Sequence, residues 1–299
     1  MNRKIHELFT AFVMSLAVWN FAWAEPIVEL VVPTPPGGAV DMTARAISKA
    51  LTTDGVENVV VYHPGANGDI ALNKVLEKSN TSILIASSAN FVFSHLVFDR
   101  ENIHARDLQL IGPSLTNAMA FYAPLNKEIK TFKDLVARAR EKELPCATSN
   151  SHGEIELNKI NKQYNTHFVS VPYKGTGQLI PDVVGGHVPC AYDQIAPYTQ
   201  LQDKLLFLAT SGDRPYKPTI PTINTVLPGY QFVTWYAVGI PKNSTLLENK
   251  KFLAVVRNWT QQKELVDPLT ERSFVLGISD LELNARAIKE TTHYHNFLK

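Results

Sequence analysis

A turn near the N-terminus has the residue types that bind an anion. Residues 33–38 form a proline-stiffened turn between an apolar run and a predicted helix, and Gly37 and Gly38 let a ligand approach the backbone closely. The start of a helix presents unpaired N–H groups, which suit a carboxylate. Asp41 is placed to cap this helix or to contact a ligand amine or hydroxyl. Because an ordinary βα turn has the same composition, the binding interpretation depends on what else lies nearby.

Two more predicted strands in the same half of the chain end in polar groups. A second glycine-rich turn, residues 64–68 with Asn67, follows the second strand, and Ser87 and Ser88 end the third. In an open α/β sheet, ligands bind outside the carboxyl ends of the strands, and all three features fall on that edge. Serine hydroxyls donate hydrogen bonds to a carboxylate. Together the three features predict a ligand site.

The second half of the chain supplies a matching set. Candidate groups again follow predicted strands, in residues 149–153, 172–177 and 192–193. The candidates in these segments are Ser149, His152, Tyr173, Lys174 and Asp193. Small polar side chains and free backbone amides orient a ligand rather than transform it. Lys174 has the alternative of a solvated loop lysine.

The sequence lacks the signatures of catalysis, metal binding and nucleic-acid binding. It has no Gly-x-Ser-x-Gly elbow, His-Glu-x-x-His motif or phosphate-binding loop, and its nine histidines lack metal-ligand spacing. We therefore expect no catalytic residue, metal or cofactor. The net charge is +1 and no Lys/Arg stripe alternates with aromatic residues, which argues against a nucleic-acid partner. A periplasmic hydrolase stays an alternative, because Ser, His and Asp all lie near the predicted cleft.

Strands and helices alternate along the chain, and this order positions the candidate groups. Apolar runs predict strands at residues 27–32, 59–62 and 83–86, and helical spacing predicts helices at 41–51 and 70–77. Strands separated by helices predict right-handed βαβ units and a mostly parallel sheet.

The same pattern restarts in a second part of the chain. Thr131 and Asp134 resemble a capping box at the start of a helix through Arg140. Further strands are predicted at residues 145–148, 167–172, 188–192 and 205–209. A chain of 299 residues is long enough for two α/β domains. Extended crossings near residues 121–124 and 235–240 predict that the chain leaves the first domain once and returns once.

The first 24 residues differ from the rest. Arg3 and Lys4 precede an apolar run at residues 8–22, which closes on Ala22-Trp23-Ala24, a pattern that signal peptidase reads. A membrane anchor is the alternative, but about 20 apolar residues are needed to cross a bilayer and this run is shorter. We expect cleavage after Ala24 and a mature protein that is soluble outside the inner membrane.

The two cysteines, Cys146 and Cys190, each end a predicted strand. In an oxidising compartment an even pair can form a disulfide. Two small buried hydrophobic residues are the alternative, because a parallel ladder rarely offers disulfide geometry.

A set of motifs resembles the Bug receptors, which are periplasmic receptors of tripartite tricarboxylate transporters. The first is Val-Val-Pro-x-x-Pro-Gly-Gly-x-x-Asp-x-x-Ala-Arg at residues 31–45. The others are Pro-Gly-Ala-x-Gly at 64–68, Val-Pro-Tyr-Lys-Gly at 171–175, Gly-Gly-His-Val at 185–188, Leu-Ala-Thr-Ser at 208–211 and Trp-x5-Pro at 235–241. Their order and spacing cover essentially the whole chain after residue 24.

The resemblance implies a fold, a domain division and a function. The fold class is α/β, a type II periplasmic-binding-protein fold with two α/β lobes joined by a two-strand hinge. Residues 25–123 and 236–299 would form domain I, and 124–235 domain II. The implied function is capture of a small carboxylate between the lobes and transient docking on membrane transporter subunits, without turnover. Carried over by position, the lining of the first lobe would be Gly37, Gly38, Ala39 and Asp41, with Ser149, Tyr173, Lys174 and Asp193 in the second.

The resemblance does not specify the ligand, the protein that receives it or the oligomeric state. The chain departs from the family pattern around the cleft, at Thr34, Tyr62-His63, Asn67, His152 and Thr225, so the ligand's identity is not carried over. A receptor of this shape can also present its ligand to a sensor kinase instead of a transporter. We expect a monomer, the default for a receptor that docks transiently.

Overall fold

The computed structural model describes residues 26–93, 107–125, 128–277 and 279–298. The predicted signal peptide lies outside the described residues. The strands are β1 (Val28–Val32), β2 (Asn58–Tyr62), β3 (Ser82–Ser87), β4 (Leu108–Pro124), β5 (Leu144–Thr148), β6 (Phe168–Pro172), β7 (Cys190–Gln194), β8 (Leu205–Thr210), β9 (Val233–Pro241) and β10 (Phe274–Leu276). The helices are α1 (Ala39–Thr53), α2 (Asp69–Glu77), α3 (Phe132–Glu141), α4 (Ser151–Tyr164), α5 (Thr176–Val184), α6 (Lys250–Asn258), α7 (Lys263–Thr270) and α8 (Asp280–Leu298).

The strands form one mixed sheet with two halves. Its order is β2-β1-β3-β9-β4-β7-β5-β6, and β8 and β10 also pair with β4. Strand β4 is 17 residues long and belongs to both halves. Its first part pairs with β9 as far as Ala118, and from Met119 onward it pairs with β7 and β8. The α/β periplasmic-binding-protein fold expected from the resemblance is therefore confirmed.

The expectation of mostly parallel sheets is wrong for part of each half. Strand β1 is parallel to β2 and β3, and β5 is parallel to β6 and β7, as predicted. Strands β3 and β4 are both antiparallel to β9, and β7 and β8 are antiparallel to β4. Strand β4 runs through both halves, and β9 lies antiparallel beside its first part, so neither joins its neighbours through a βαβ unit. The domain boundaries stay a prediction.

Local sequence explains the elements that carry the candidate groups. Strand β1 has apolar side chains on both faces because helices cover both sides of a parallel sheet. Helix α1 turns Ala44, Ile47 and Leu51 into the core of the first half. Helix α3 begins at the predicted capping box, in which Asp134 N donates to Thr131 Oγ1 and Thr131 N donates to Asp134 Oδ2.

Two further predictions concern cysteines and membrane segments. A disulfide joins Cys146 and Cys190, which are paired residues of β5 and β7 with Cα atoms 4.7 Å apart. The structure thus selects the disulfide from the two alternatives. Across the described ranges, none of the helices combines the length and apolar character needed to cross a bilayer.

Candidate functional site

A small cavity lies between the two halves at the carboxyl ends of the strands. Its volume is about 30 Å³. The first half contributes Thr34, Pro35, Gly38, Ala39, Val40, Ser87, Ala89 and Asn90, and the second half contributes Ser149, Asn150, Gly175, Thr176 and Gln194. All of these side chains are neutral, so a ligand in this cavity would meet hydroxyls, carboxamides and backbone amides.

The first wall of the cavity is the start of helix α1. Gly38 is the N-cap residue and has no side chain to satisfy the first amides of the helix. A Cβ atom built on Gly37 or Gly38 would have no neighbour within 4 Å. Gly37 has a φ of +95°, which favours glycine. The glycine pair therefore borders open space, and the first amides of the helix have no side-chain cap, the arrangement that accepts an anion.

Asp41 supports this turn without belonging to the cavity wall. Its carboxylate is buried and accepts hydrogen bonds from the Gly37 amide (2.9 Å, Oδ2), the Tyr62 hydroxyl (2.6 Å, Oδ1) and Arg45 Nε (2.9 Å, Oδ1). Asp41 is therefore not the N-cap residue. It is the third residue of helix α1, and its side chain reaches back to the turn before the helix. Arg45 Nη2 also donates to the Tyr62 hydroxyl, at 2.8 Å.

Asn90 connects the other two strand ends of the first half. Its Nδ2 donates to the Asn67 carbonyl oxygen (2.9 Å), and its Oδ1 accepts from the Ser87 amide and hydroxyl (both 3.3 Å). Asn67 has a positive φ of 51°, and its contact with Asn90 holds the second glycine-rich turn against the end of β3. Ser87 lines the cavity.

Asp193 organises the second wall. Its fully buried carboxylate accepts from the hydroxyls of Ser149 (2.6 Å), Thr176 (2.8 Å) and Tyr198 (3.1 Å) and from the Gln194 amide (2.8 Å). Burial raises the pKa of Asp193, and the four donors act in the opposite direction. Asp193 thus orients Ser149 and Thr176 at the cavity wall.

The start of helix α5 faces the first turn directly. Gly175 is its N-cap residue, without a side-chain cap. A Cβ atom on Gly175 would lie 3.0 Å from Cδ of Pro35, and one on Gly177 would lie 3.5 Å from the Pro36 carbonyl oxygen. Two helix N-termini from opposite halves, both uncapped by side chains, therefore meet at one cavity. Their partial positive charges add to the favourable field for an anion.

His152 lies behind the cavity, in the contact between the halves. Its Nε2 is 3.2 Å from Ser88 Oγ, and its ring packs edge-on against Phe232 with centroids 5.2 Å apart. Burial lowers the pKa of His152 to about 3. The imidazole is therefore neutral at physiological pH.

Two predicted residues lie outside the cavity. The Tyr173 hydroxyl donates to Asp182 Oδ2 at 2.6 Å, and this hydrogen bond is the main cause that raises the pKa of Tyr173 to about 12. Lys174 is exposed, as the alternative of a solvated loop lysine expects. Neither residue belongs to the cavity wall.

The predicted residues thus divide into wall residues, supporting residues and the two residues outside the cavity, Tyr173 and Lys174. Their role in binding stays a prediction. The residues at the wall are Gly38, Ala39, Ser87 and Ser149, and the residues that support it are Gly37, Asp41, Asn67, Ser88, His152 and Asp193. Sequence reasoning missed wall residues next to these positions, namely Thr34, Asn90, Asn150, Gly175, Thr176 and Gln194. Most of them belong to the same strand-end segments as the predicted residues, so a whole segment predicts the cavity wall better than a single residue does.

Comparison with known proteins agrees with the resemblance seen in the sequence motifs. The sequence model of the family described as "Tripartite tricarboxylate transporter family receptor" matches residues 43–291. A curated relative, "UPF0065 protein in tcbD-tcbE intergenic region" of Pseudomonas sp. (strain P51), is 27% identical over 254 residues, which is 81% of this chain and 76% of the relative.

Solved structures share the fold. A Rhodopseudomonas palustris protein described as "Rpa4515 with adipate" superposes with a TM-score of 0.83 at 21% identity, covering 92% of this chain and 96% of the other. MatC (Rpa3494) from the same organism, described "with bound malate", has a TM-score of 0.82 at 19% identity, covering 92% and 100%.

Proposed function

The chain belongs to the tripartite tricarboxylate transporter receptor family, and from that premise we propose that it captures a small carboxylate in the cavity between its two halves and delivers it to a transporter of that type. The family consists of periplasmic solute-binding receptors. The observation that carries the proposal is the meeting of two uncapped helix N-termini, at Gly38 and Gly175, in a cavity whose wall has no charged side chain.

Backbone amides can hold a carboxylate without an arginine. At a helix start the first amides have no partner within the helix, and the helix dipole places partial positive charge there. Hydrogen bonds to an ionised acceptor are stronger than those between neutral groups. The hydroxyls of Ser149 and Thr176 already donate to Asp193, and that of Ser87 donates to Asn90. The donors that both walls offer a carboxylate are therefore the backbone amides at the two helix starts.

The size of the cavity requires opening. A water molecule needs roughly 10–15 Å³ of such space, and the cavity of about 30 Å³ is too small for a dicarboxylate. A ligand would therefore enter an open form in which the halves move apart about β4 and β9. It would then stabilise a closed form through contacts with both walls.

The solved relatives support the ligand class. Malate and adipate are both small dicarboxylates, and each is named with a protein of the same fold. We extend to this chain only the shared chemistry, a small acid with at least one carboxylate. We also propose export with cleavage after Ala24, the domain division at residues 123/124 and 235/236, a monomeric state and binding without turnover.

The test is direct binding to the exported protein. The full chain is expressed with its own N-terminal segment and purified from the periplasmic fraction, and the first residue of the product is determined. Malate, succinate, adipate, citrate and aspartate are then titrated by calorimetry. We expect Glu25 as the first residue and saturable binding of one or more acids with no chemical change in the acid. Absence of saturable heat across the panel would refute a carboxylate receptor.

A further inference from the structure

The turn that presents the helix amides is held by a three-residue cluster outside the cavity. Asp41 accepts the Gly37 amide through Oδ2, and the other oxygen, Oδ1, accepts from both Tyr62 and Arg45. The Asp41 side chain is only 7% exposed, whereas the Arg45 side chain is 61% exposed. The carboxylate therefore links the turn, through one oxygen, to two donors that meet at the other oxygen.

Tyr62 brings a second element into this cluster. It is the last residue of β2, and its half-buried ring carries the hydroxyl to within 2.6 Å of Asp41 Oδ1. The same hydroxyl accepts from Arg45 Nη2 at 2.8 Å. Because β2 is fixed in the sheet beside β1, Tyr62 ties the position of the Asp41 carboxylate, and hence of the Gly37 amide, to the sheet.

We propose that Tyr62 is a positioning residue for ligand binding, which holds the Gly37–Gly38 turn in its binding geometry through the carboxylate of Asp41. The proposal rests on the proposed function. Glycine is conformationally permissive, and an added Cβ at Gly37 or Gly38 would meet nothing within 4 Å, so local packing does not fix the backbone of the two glycines. Without the clamp, a ligand would have to order the turn when it binds, and this cost would reduce its affinity.

The chain contains a matched control at the other end of the same helix and strand. Ser48 Oγ of α1 donates to Asn58 Oδ1 of β2 at 2.6 Å. Ser48 and Tyr62 are both half-buried, and each makes a hydroxyl hydrogen bond between α1 and β2. Only the Tyr62 bond lies next to the turn. If the loss of any hydrogen bond between α1 and β2 weakened binding, both variants would bind less tightly. If the position of the turn is what matters, only the Tyr62 variant would.

The experiment compares Tyr62→Phe with Ser48→Ala in the full exported protein. The titrated acid is the one among malate, succinate, adipate, citrate and aspartate that binds the wild type most tightly. We expect the Kd of Tyr62→Phe to rise roughly threefold to tenfold, the range for one added ordering cost, and that of Ser48→Ala to stay within about twofold of the wild type. Equal Kd changes in the two variants, or none in Tyr62→Phe, would overturn the proposal.

A second measurement reports on the turn without any ligand. In the two-dimensional amide spectrum of the ligand-free protein, the Gly37 cross-peak should move in Tyr62→Phe and stay in place in Ser48→Ala. If it stays in place in both, the clamp does not exist. This readout decides whether Tyr62 holds the turn even if no acid in the panel binds, so a failed clamp and a failed proposed function give different results.

A second variant covers the case in which Tyr62→Phe does not fold. Arg45→Gln removes the other donor to Asp41 Oδ1, and the exposed Arg45 side chain contributes little to the core. We expect the same direction of change in Kd and in the Gly37 cross-peak. An unchanged Kd together with an unmoved cross-peak in this variant would also overturn the proposal.

Discussion

Ser88 and His152 join the two halves of the sheet, with Ser88 Oγ 3.2 Å from His152 Nε2 and both side chains almost completely buried. Ser88 follows β3, and its hydroxyl also accepts from the Trp235 amide at the start of β9 at 3.4 Å. His152 stands in the first turn of α4. The contact therefore brings together the end of β3, strand β9 and a helix of the opposite half.

The first prediction is a loss of stability in mild acid that depends on His152. Its pKa is lowered from 6.5 to about 3 by burial, so the unfolded chain binds a proton below pH 6.5 that the folded protein does not. The contribution of the neutral His152 side chain to the free energy of unfolding is fully present above pH 6.5 and decreases as the pH falls below that value. At pH 5 the loss is about 2 kcal/mol.

Urea unfolding at pH 7.5 and pH 5.0 measures this effect. The difference between the two free energies of unfolding should be about 2 kcal/mol smaller in His152→Gln than in the wild type. Glu156 lies one turn later on α4, near Lys159, and is present in both proteins, so its contribution cancels in the comparison. An identical pH dependence in the two proteins would rule out His152 as the cause.

The second prediction concerns a buried carboxylate that links the C-terminal helix to the second half. Glu156 of α4 accepts from the hydroxyls of Tyr230 and Tyr294, both at 2.7 Å, and Tyr294 belongs to α8. Tyr294→Phe removes one donor from a fully buried acid. The free energy of unfolding should fall by about 1–3 kcal/mol, the range for a buried charged group that loses a hydrogen bond.

Tyr164→Phe is the control for this variant. The Tyr164 hydroxyl donates to the Pro228 carbonyl oxygen at 2.9 Å in an exposed position, so its loss should cost less than about 0.5 kcal/mol. Urea denaturation of both variants gives the comparison. Equal losses would mean that the contact between α8 and Glu156 stabilises the protein no more than an exposed hydrogen bond does.

The third prediction separates binding from folding at Gly38. Its extended backbone, with φ −87° and ψ 176°, suits a β-branched residue, and a Cβ there would have no neighbour within 4 Å. Gly38→Val should therefore lower the free energy of unfolding by no more than about 1 kcal/mol, the cost of a poorer N-cap. The new side chain would occupy the space in front of the helix amides.

Affinity for the acid found in the panel should fall at least roughly 100-fold in Gly38→Val, because the loss of two charge-assisted hydrogen bonds costs about 3 kcal/mol or more. Thr53→Val, at the far end of α1 and exposed, should bind like the wild type. Calorimetric titration of the two variants is the measurement. Wild-type affinity in Gly38→Val would show that the ligand does not use this turn.

Local patterns in the sequence predicted which segments meet at the cleft. Parallel strands end at one edge of a sheet, so the turns after β1, β2 and β3 had to lie together. The capping box at Thr131 and Asp134 was readable because all its contacts lie within three residues. The family motifs added the division into two halves, which apolar periodicity alone does not specify.

Individual side-chain contacts were not readable in the same way. Ser88 and His152 are 64 residues apart, and strand β4, which pairs in both halves, joins the parts of the sheet on which they lie. Asp41 was placed near the ligand by motif, but the helix turns its carboxylate toward Tyr62, 21 residues away. Asn90 lies in a turn of irregular helix after β3, where neither helical nor strand periodicity applies.

The last prediction concerns Thr34, whose hydroxyl is buried at the cavity. Among the described residues Thr34 Oγ1 has no hydrogen-bond partner, although Thr34 belongs to the cavity wall. A buried hydroxyl without a partner costs about 1–3 kcal/mol. Thr34→Val keeps the shape and removes this cost, so the free energy of unfolding should stay equal or rise.

Binding of the panel acid should weaken by roughly fivefold to tenfold if the hydroxyl pairs with the ligand. Thr34→Ser keeps the hydroxyl and should retain most of the affinity. Calorimetry and urea unfolding of the two variants test both parts, and tighter binding by Thr34→Val would mean that the ligand presents an apolar group to this wall.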